Sequence, residues 1–490
     1  MEILELCRSL FLQWNENGVI YCHWKSNEHL IPALKGETDL DILISGDSQE
    51  TAELIMTNLG LRKCKSQFGS RYRNVCDWVG VDKSGAMIHV HLHYALLTGH
   101  QGLKEYNLPW THDALEYRQL DKKTNVYIID PNLEVLELLV RVSLKKNRAN
   151  IKKIKKGKYF INEDDIREFT YLKELINWNK VYFFSEKYFK NTNDLIAFLK
   201  MDVPKNDRFL QCRKLIMNDM KQYREYNSIV TMLLRNYYWF TIRCNHFLRN
   251  HLNKNNIIRK VVDNDAGMII AFIGQDGAGK STVTNEIADW LSWKLDARRF
   301  YLGSGDHYKS WQKSFLSYIE KKNIKKNRIG YIIYALLTIS NYKKIAKTYY
   351  RITKKAERYS KKGGIALFDR YPQIFFEGRN DGPKIRTTLK KIKKSSLVYR
   401  FIEHYANIEE KYIRNATKIM PNLVFKLMLS PEESIRRKPE ESLEEVKIKH
   451  NIIQKWDFIN VPTYEIDAAK DYSEEIKEIK TIIWEKIKES

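Results

Sequence analysis

Two hydrophobic patterns alternate along the last half of the chain. Short apolar runs, typical of strands, are separated by longer amphipathic stretches, typical of helices. Such alternation predicts an α/β domain at residues 263–490, with a parallel sheet covered by helices on both faces. The five predicted strands lie at residues 268–273, 299–302, 365–368, 423–429 and 463–466.

The preceding region, residues 131–262, has a helical pattern. Pro131 suits the first turn of a helix, and apolar positions recur after it at helical spacing. Polar residues dominate at 250–265 and predict a linker. Residues 1–130 mix helical stretches with strand-like runs, so we expect an α+β domain there, with the helical region associated with it. These runs lie at residues 21–24, 40–44 and 87–92.

Composition restricts the partners more than the fold. Lys and Arg number 84 against 60 Asp and Glu, a net charge of +24, which favours nucleotides, phosphorylated sugars, anionic membranes or nucleic acid, unless the lysines are merely solvated. The basic runs lack interleaved aromatic platforms, so we do not expect nucleic acid. The six cysteines have no metal-binding or redox spacing, and no signal peptide is evident, so we expect a cytoplasmic protein.

A basic insertion at about 307–362 separates the second and third predicted strands of the α/β region. It contains an apolar run at 331–339, which is too short to span a bilayer. Two interpretations stay open for this run. It is a core helix with basic ends, or it lies on the anionic inner face of the membrane as a peripheral contact.

The strongest motif lies between the first strand and first helix of the α/β region. Residues 274–281 read Gly-Gln-Asp-Gly-Ala-Gly-Lys-Ser and fit G-x-x-x-x-G-K-[ST] completely. Glycines in such a loop let backbone N–H groups approach phosphates at a helix N-terminus. We expect Lys280 to neutralise the β- and γ-phosphates of ATP and the Ser281 hydroxyl to bind magnesium. The predicted nucleotide-binding residues are Gly274, Asp276, Gly277, Ala278, Gly279, Lys280, Ser281 and Thr282.

Two further segments of the α/β region carry candidate chemistry. Asp369 closes the third predicted strand beside the loop, where a carboxylate orders magnesium or orients an acceptor, and Arg370 offers a planar fork for an anion. Arg436 and Arg437 follow the fourth strand, and arginines on a mobile segment there are able to close over ATP. A basic helix facing solvent is the alternative for these two arginines.

Together these motifs resemble the thymidylate kinase family over residues 268–490. The resemblance implies an ATP-dependent phosphotransferase with a doubly wound P-loop fold. It also implies that Asp276 touches the acceptor, that Asp369 and Arg370 hold its reacting end, and that Arg436 or Arg437 acts from a lid. Asp369 is the candidate general base if the acceptor is a hydroxyl.

The acceptor stays open at this point. Residues 303–306 and 372–383 stand where the family has its acceptor loop and its base-reading segment, and both differ from the family pattern. We therefore expect a kinase whose acceptor is a nucleotide or a sugar or glycan, with surface polysaccharide assembly as one setting. An ATP-switched binding or regulatory protein is the competing interpretation.

A second motif lies in the N-terminal region. Asp39 and Asp41 stand two apart at the start of a predicted strand and share one face, as magnesium-binding carboxylates require. This resembles the DNA polymerase β-like nucleotidyltransferases, which implies that Asp39 and Asp41 are metal ligands and catalytic residues for nucleotidyl transfer. A degenerate relative that only binds a substrate is the alternative. His89, His91 and His93 occupy the strand where the family carries its third carboxylate, and they are candidates for metal binding, anion binding or packing.

Overall fold

The computed structural model describes most of the chain in two compact units. We call residues Met1–Asp263 the N-terminal unit and Asn264–Ser490 the C-terminal unit. The described residues are 3–66, 72–100, 102–158, 162–201, 205–252, 260–263, 267–302, 328–389, 394 and 396–489.

An eight-stranded mixed sheet forms the centre of the N-terminal unit, in the order β10-β3-β4-β5-β2-β1-β9-β8. Strands β2 and β5 are parallel neighbours, and β4 runs antiparallel to β5 on its other side. The two remaining strands, β6 and β7, form a separate pair. The strands are β1 Tyr21–His23, β2 Leu40–Ile44, β3 Arg62–Ser66, β4 Val75–Val81, β5 Met87–His93, β6 Leu97–Thr98, β7 Tyr106–Asn107, β8 Gln119–Asp121, β9 Val126–Ile128 and β10 Lys260–Val262.

Helices make up the remainder of the N-terminal unit. The helix that begins at Pro131 is capped by the Asp130 side chain, which accepts a hydrogen bond from the Asn132 amide, and nearly all its residues are buried. The helices are Glu5–Glu16, Leu30–Leu34, Gln49–Asn58, Thr111–Glu116, Pro131–Lys145, Arg148–Lys155, Glu163–Leu175, Trp178–Tyr188, Thr192–Leu199, Asn206–Asp219 and Ser228–Leu252.

The predicted linker at 250–265 needs correction. The last helix of the region continues to Leu252, and Lys260–Val262 form strand β10, which pairs with β3. The side chains of Val261 and Val262 are buried. These two valines belong to the strand at the edge of the sheet, but most residues around them in the sequence are polar. The polar composition of the segment therefore predicted a linker wrongly.

Five parallel strands form the sheet of the C-terminal unit, as the pattern predicts, in the order β12-β13-β11-β14-β15. The second strand lies earlier in the sequence than predicted. Strand β12 ends at Arg299, and the apolar residues 300–302, which were predicted to belong to it, follow it. Phe300 and Leu302 are buried, and the Phe300 amide still donates to Leu367 O at 2.8 Å. The strands are β11 Met268–Gly274, β12 Ala297–Arg299, β13 Ile365–Phe368, β14 Leu423–Met428 and β15 Thr463–Asp467.

Helices connect these strands, and one of them contains the apolar run of the basic insertion. Ile332, Ile333 and Leu336 are exposed on it, whereas Ile339 is buried. Residues 303–327, which include the predicted acceptor-loop position at 303–306 and the first part of the insertion, lie outside the described residues. Among the described helices, none has the length and apolarity that a membrane crossing requires. The helices are Lys280–Ser292, Arg328–Ser360, Ile385–Leu389, Leu397–Thr417, Pro431–Arg437, Leu443–Lys455 and Tyr472–Glu489.

Candidate functional site

A glycine-rich turn joins the central strand β11 to the helix Lys280–Ser292. Gly277 and Gly279 have φ of +85° and +76°, in the left-handed region that favours glycine. A Cβ atom on Gly274 would lie 2.7 Å from Leu427 O, so only glycine fits that close approach. The turn therefore directs the N-terminus of a helix toward one point, which is the geometry of a phosphate-binding loop. This strand, turn and helix define the C-terminal unit as a P-loop domain.

The Lys280 ammonium folds back across this turn. Its Nζ donates a hydrogen bond to Gln275 O at 2.7 Å. Burial lowers the pKa of Lys280 to about 8, and the nearby carboxylate of Asp276 opposes that shift. A buried ammonium whose charge is only partly compensated binds an anion strongly, because the anion replaces the solvation that burial removed.

Ser281 and Asp369 form a pair of oxygen ligands beside the turn. The Ser281 hydroxyl donates to Asp369 Oδ2 at 3.2 Å, and the Arg299 guanidinium lies 3.5 Å from the same oxygen. The other carboxylate oxygen, Oδ1, is buried and has no hydrogen-bond partner in the described part of the chain. A serine hydroxyl beside a carboxylate with an unused oxygen fits magnesium, which prefers oxygen ligands.

A cavity of about 560 Å³ opens next to Lys280. Its wall combines cations and carboxylates with the buried ring of Trp456, so it suits a polar molecule. Much of this wall comes from residues 377–384, within and just after the segment that departs from the family pattern. The sequence did not identify these residues as a site, although the polar run Arg-Asn-Asp-Gly at 379–382 was a usable signal. The polar lining residues include Asp276, Lys280, Arg370, Glu377, Arg379, Asn380, Asp381, Lys384, Glu445 and Lys449.

Asp381 is the carboxylate in this wall with the most unusual surroundings. It accepts a hydrogen bond from the Tyr349 hydroxyl at 2.9 Å and lies 3.9 Å from the Arg370 guanidinium. Burial raises the pKa of Asp381, although Arg370 opposes the shift. Asn380 and Asp381 both have positive φ, +45° and +61°, and such backbone strain is concentrated at functional sites.

The Asp276 carboxylate is held differently. It accepts a hydrogen bond from Lys449 Nζ at 2.6 Å, and its backbone oxygen accepts one from the Ser434 hydroxyl at 2.6 Å. Burial alone would raise the pKa of Asp276, but the Lys449 hydrogen bond and the charge of Lys280 lower it to about 2. Asp276 is therefore a permanent anion that ties the turn to the two helices following β14.

The two lid arginines are placed differently from each other. Arg437 lies 3.5 Å from Gly277 O and donates to Ala468 O at 3.1 Å, so it contacts the phosphate loop. The Arg436 side chain is 79% exposed and pairs with Glu433. The structure brings Arg437 to the loop and leaves Arg436 facing solvent.

In the N-terminal unit, Asp39 and Asp41 lie among histidines. His89 Nδ1 is 2.9 Å from Asp39 Oδ1, and His91 Nδ1 is 3.1 Å from Asp41 Oδ1. A third carboxylate, Asp77 on β4, lies opposite His91 and within 3.1 Å of its Nε2. Sequence reasoning missed Asp77, because it lies on β4, an antiparallel neighbour of β5, and no motif connects the two strands.

A lysine completes this cluster. Lys260 on β10 places its Nζ 2.6 Å from Asp77 Oδ1 and 2.9 Å from His89 Nε2. On the other side, Lys25 Nζ lies 2.8 Å from Asp41 Oδ1. The carboxylates of Asp41 and Asp77 are thus each paired with an ammonium group from the chain itself.

The turn before Asp39, at residues 25–27, is also occupied by the protein. Ser26 has φ +54°, and its amide donates to Glu168 Oε1 at 3.1 Å, while the Asn27 amide donates to Glu134 Oε1 at 3.0 Å. Arg141 donates to the same Glu168 oxygen at 2.6 Å. Successive amides of this kind form an anion-binding nest, and here carboxylates of the helical region fill it.

Comparison with known proteins finds similarity over less than half of the chain. No family model matches it. The uncharacterized ATP-binding protein YghR of Escherichia coli K12 is 25% identical over 43% of this chain and 84% of its own length, and YghS of the same strain is 22% identical over 44% and 92%. Deoxyadenosine kinase from M. mycoides, solved with dATP and with dCTP, is 19% and 18% identical over 44% of this chain and 99% and 98% of its own, with TM-scores of 0.27 and 0.25.

Proposed function

We propose that the C-terminal unit is an ATP- and magnesium-dependent phosphotransferase. One observation carries the proposal, namely that the phosphate loop, with Lys280 folded over it, borders an open polar cavity of about 560 Å³. A donor phosphate and an acceptor therefore have adjoining places. The similarity to proteins described as ATP-binding supports ATP as the donor.

Different residues of the site have different roles in the proposed phosphoryl transfer. The amides of the turn and Lys280 hold the phosphates of the donor, and Arg370 and Arg437 neutralise charge that spreads over the transferred group. Ser281 and Asp369 would hold magnesium, which supplies neutralisation of the β- and γ-phosphate charge when bound. Positioning and electrostatics of this kind supply most of the acceleration in such reactions.

The acceptor is a hydroxyl group of a nucleotide, nucleoside, sugar or glycan, and Asp381 is the general base. Asp369 was the candidate base from the sequence, but its Oδ2 already accepts from Ser281, which suits the magnesium side. Asp381 lines the cavity, and burial raises its pKa, which makes its carboxylate a stronger base toward a hydroxyl proton. The largely buried Trp456 ring, which stacks on Phe458, contributes an apolar part of the cavity wall.

Labelled ATP tests this proposal directly. The full chain is incubated with magnesium and a panel of nucleosides, nucleotides, sugars and glycan extracts, with ATP labelled at either the γ- or the α-phosphate. We expect the γ-label to appear on one acceptor class and the α-label to stay with the nucleotide. Transfer of the α-label would instead indicate nucleotidyl transfer through Asp39 and Asp41, and slow ATP turnover that no acceptor changes would indicate an ATP-switched binding protein.

A further inference from the structure

Three side chains of the N-terminal unit converge from two parallel strands. Asp41 on β2 is in register with His91 on β5, and Leu43 is in register with His93. Residues two apart on a strand share a face, so His91 and His93 point to the same side of the sheet as Asp41. None of these three residues takes part in the phosphotransfer proposed for the C-terminal unit.

The distances between their polar atoms match those of a metal site. Asp41 Oδ1 lies 3.1 Å from His91 Nδ1 and 3.5 Å from His93 Nε2. Around a tetrahedral zinc ion with bonds of about 2.0–2.1 Å, neighbouring ligand atoms are about 3.3 Å apart. The ligand atoms of the three residues all lie within 4.8 Å of one another, so one ion is able to reach all three after adjustment of the side chains.

His93 provides an independent indication. Its side chain is 0% exposed, and within the described residues neither ring nitrogen has a hydrogen-bond partner. The Asp41 carboxylate, 3.5 Å from Nε2, only partly compensates the buried imidazole for its lost hydration, which is costly unless something else binds the nitrogen. The edge of Trp24 packs against the ring, with centroids 5.0 Å apart, and so fixes its orientation toward Asp41.

The groups around His91 resemble those around metal-bound histidines in other proteins. If His91 binds an ion through Nδ1, its Nε2 hydrogen points at Asp77 Oδ1, 3.1 Å away. A carboxylate behind a metal-bound histidine is a common arrangement that fixes the ring and strengthens the ligand. The Lys25 ammonium, 2.8 Å from Asp41 Oδ1, is the cation with which a metal ion would compete.

We propose that Asp41, His91 and His93 bind a divalent transition-metal ion of the zinc type. Two imidazoles and one carboxylate favour zinc, cobalt or iron over magnesium, which prefers oxygen ligands. Three protein ligands leave a fourth position for water or a substrate oxygen, as in catalytic zinc sites. This site is separate from the magnesium pair Ser281 and Asp369.

Cobalt binding tests the proposal in the full-length chain. The protein is stripped with a chelator and titrated with Co²⁺ in the absence of nucleotide, with visible absorption and elemental analysis as readouts. We expect one Co²⁺ per chain with the intense bands of a tetrahedral complex, displaced by Zn²⁺. Absence of bound cobalt, or an octahedral spectrum alone, would overturn the proposal.

Matched variants locate the ion. His93→Ala should abolish the tetrahedral bands, and Asp77→Asn should weaken cobalt binding by about 10–100-fold. The control is His112→Ala, which alters an exposed histidine beside Asp113 and Glu116 and should change nothing. Loss of cobalt in His112→Ala with retention in His93→Ala would refute the assignment.

A third variant keeps the test decisive if His93→Ala fails to fold. Lys25→Met removes the competing ammonium and leaves all three ligands in place. It should tighten cobalt binding by at least about tenfold, because the metal no longer displaces a bound cation. Unchanged or weaker cobalt binding in Lys25→Met would contradict the proposal.

Discussion

The two units use the same kinds of charged residue in opposite ways. In the C-terminal unit, the turn at 274–281 presents its amides toward a cavity that is open to a ligand. In the N-terminal unit, the comparable turn at 25–27 donates its amides to Glu134 and Glu168 of the same chain. The Lys260 ammonium likewise pairs with Asp77. Residue types alone therefore do not separate a site that awaits a substrate from one that the protein has filled.

The largest expected effect is on the open site. Lys280→Ala removes the ammonium that folds across the phosphate loop, so phosphoryl transfer should fall by about 10²–10³-fold. Initial rates with γ-labelled ATP measure this. Lys447→Ala, an exposed lysine on the helix Leu443–Lys455, is the matched control and should retain full activity. Equal activity of both variants would remove Lys280 from the mechanism.

At the turn 25–27, which carboxylates of the same chain already occupy, we expect substitutions to lower the stability of the fold and not the phosphotransfer activity. Arg141→Met leaves Glu137 and Glu168 without their buried cation and should cost about 3–5 kcal/mol of unfolding free energy. Urea unfolding measures this loss of free energy, and hydrogen exchange of the Pro131–Lys145 amides is a second, independent measurement. Burial already raises the pKa of Glu137 to about 7, although Arg141 opposes the shift, so the loss should shrink at lower pH as the Glu137 carboxyl becomes neutral.

Arg167→Met is the control for that variant. Arg167 is 51% exposed and pairs with Glu28 and Asp164 at the surface, where ion pairs contribute little. Its replacement should leave the unfolding transition nearly unchanged. A larger effect for Arg167→Met than for Arg141→Met would contradict the account of the filled turn.

The next prediction concerns which carboxylate of the C-terminal site is the general base, and the expected effect on the rate is smaller. Asp381→Asn keeps the size of the side chain but removes its basicity, so kcat should fall by about 10²-fold with KM changed much less. The acidic limb of the pH–rate profile should disappear with it. If Asp369→Asn removes that limb while Asp381→Asn preserves it, Asp369 is the base, as the sequence first indicated.

The smallest expected effect concerns pH. The pKa of Lys280 in the free protein is lowered to about 8, so its ammonium is lost as pH rises through 8, and ATP binding then requires proton uptake. Affinity should be constant below pH 8 and fall above it, approaching about tenfold per pH unit. Titration calorimetry at pH 7, 8 and 9 measures both the affinity and the proton uptake. Lys280→Arg keeps its charge over this range and should give a flat profile.

The sequence predicted most of what is local. The strand, turn and helix around 268–292 form one continuous segment, so glycine spacing and apolar periodicity identified them together. The five parallel strands followed from the same alternation, with only β12 displaced by the apolar run after it. Local chemistry is readable because all of its parts lie within one short stretch of chain.

What the sequence did not predict depends on distant contacts. Asp77 and Lys260 meet His89 and His91 only through strand pairing, and Lys260 lies about 170 residues from both histidines. Lys449 reaches Asp276 from a helix far along the chain. The segment 372–383 departs from the family pattern and seemed to lose the acceptor site, yet part of it lines the cavity beside Lys280.

Hydrogen exchange of the full chain, with and without magnesium and a non-hydrolysable ATP analogue, tests the central claim most directly. The account predicts slowed exchange in the turn at 274–282, with a smaller change at 377–384 along the cavity wall. It predicts no change at 25–27, where Glu134 and Glu168 already hold the amides. Slowed exchange at 25–27 and 39–41 with none at 274–282 would contradict it.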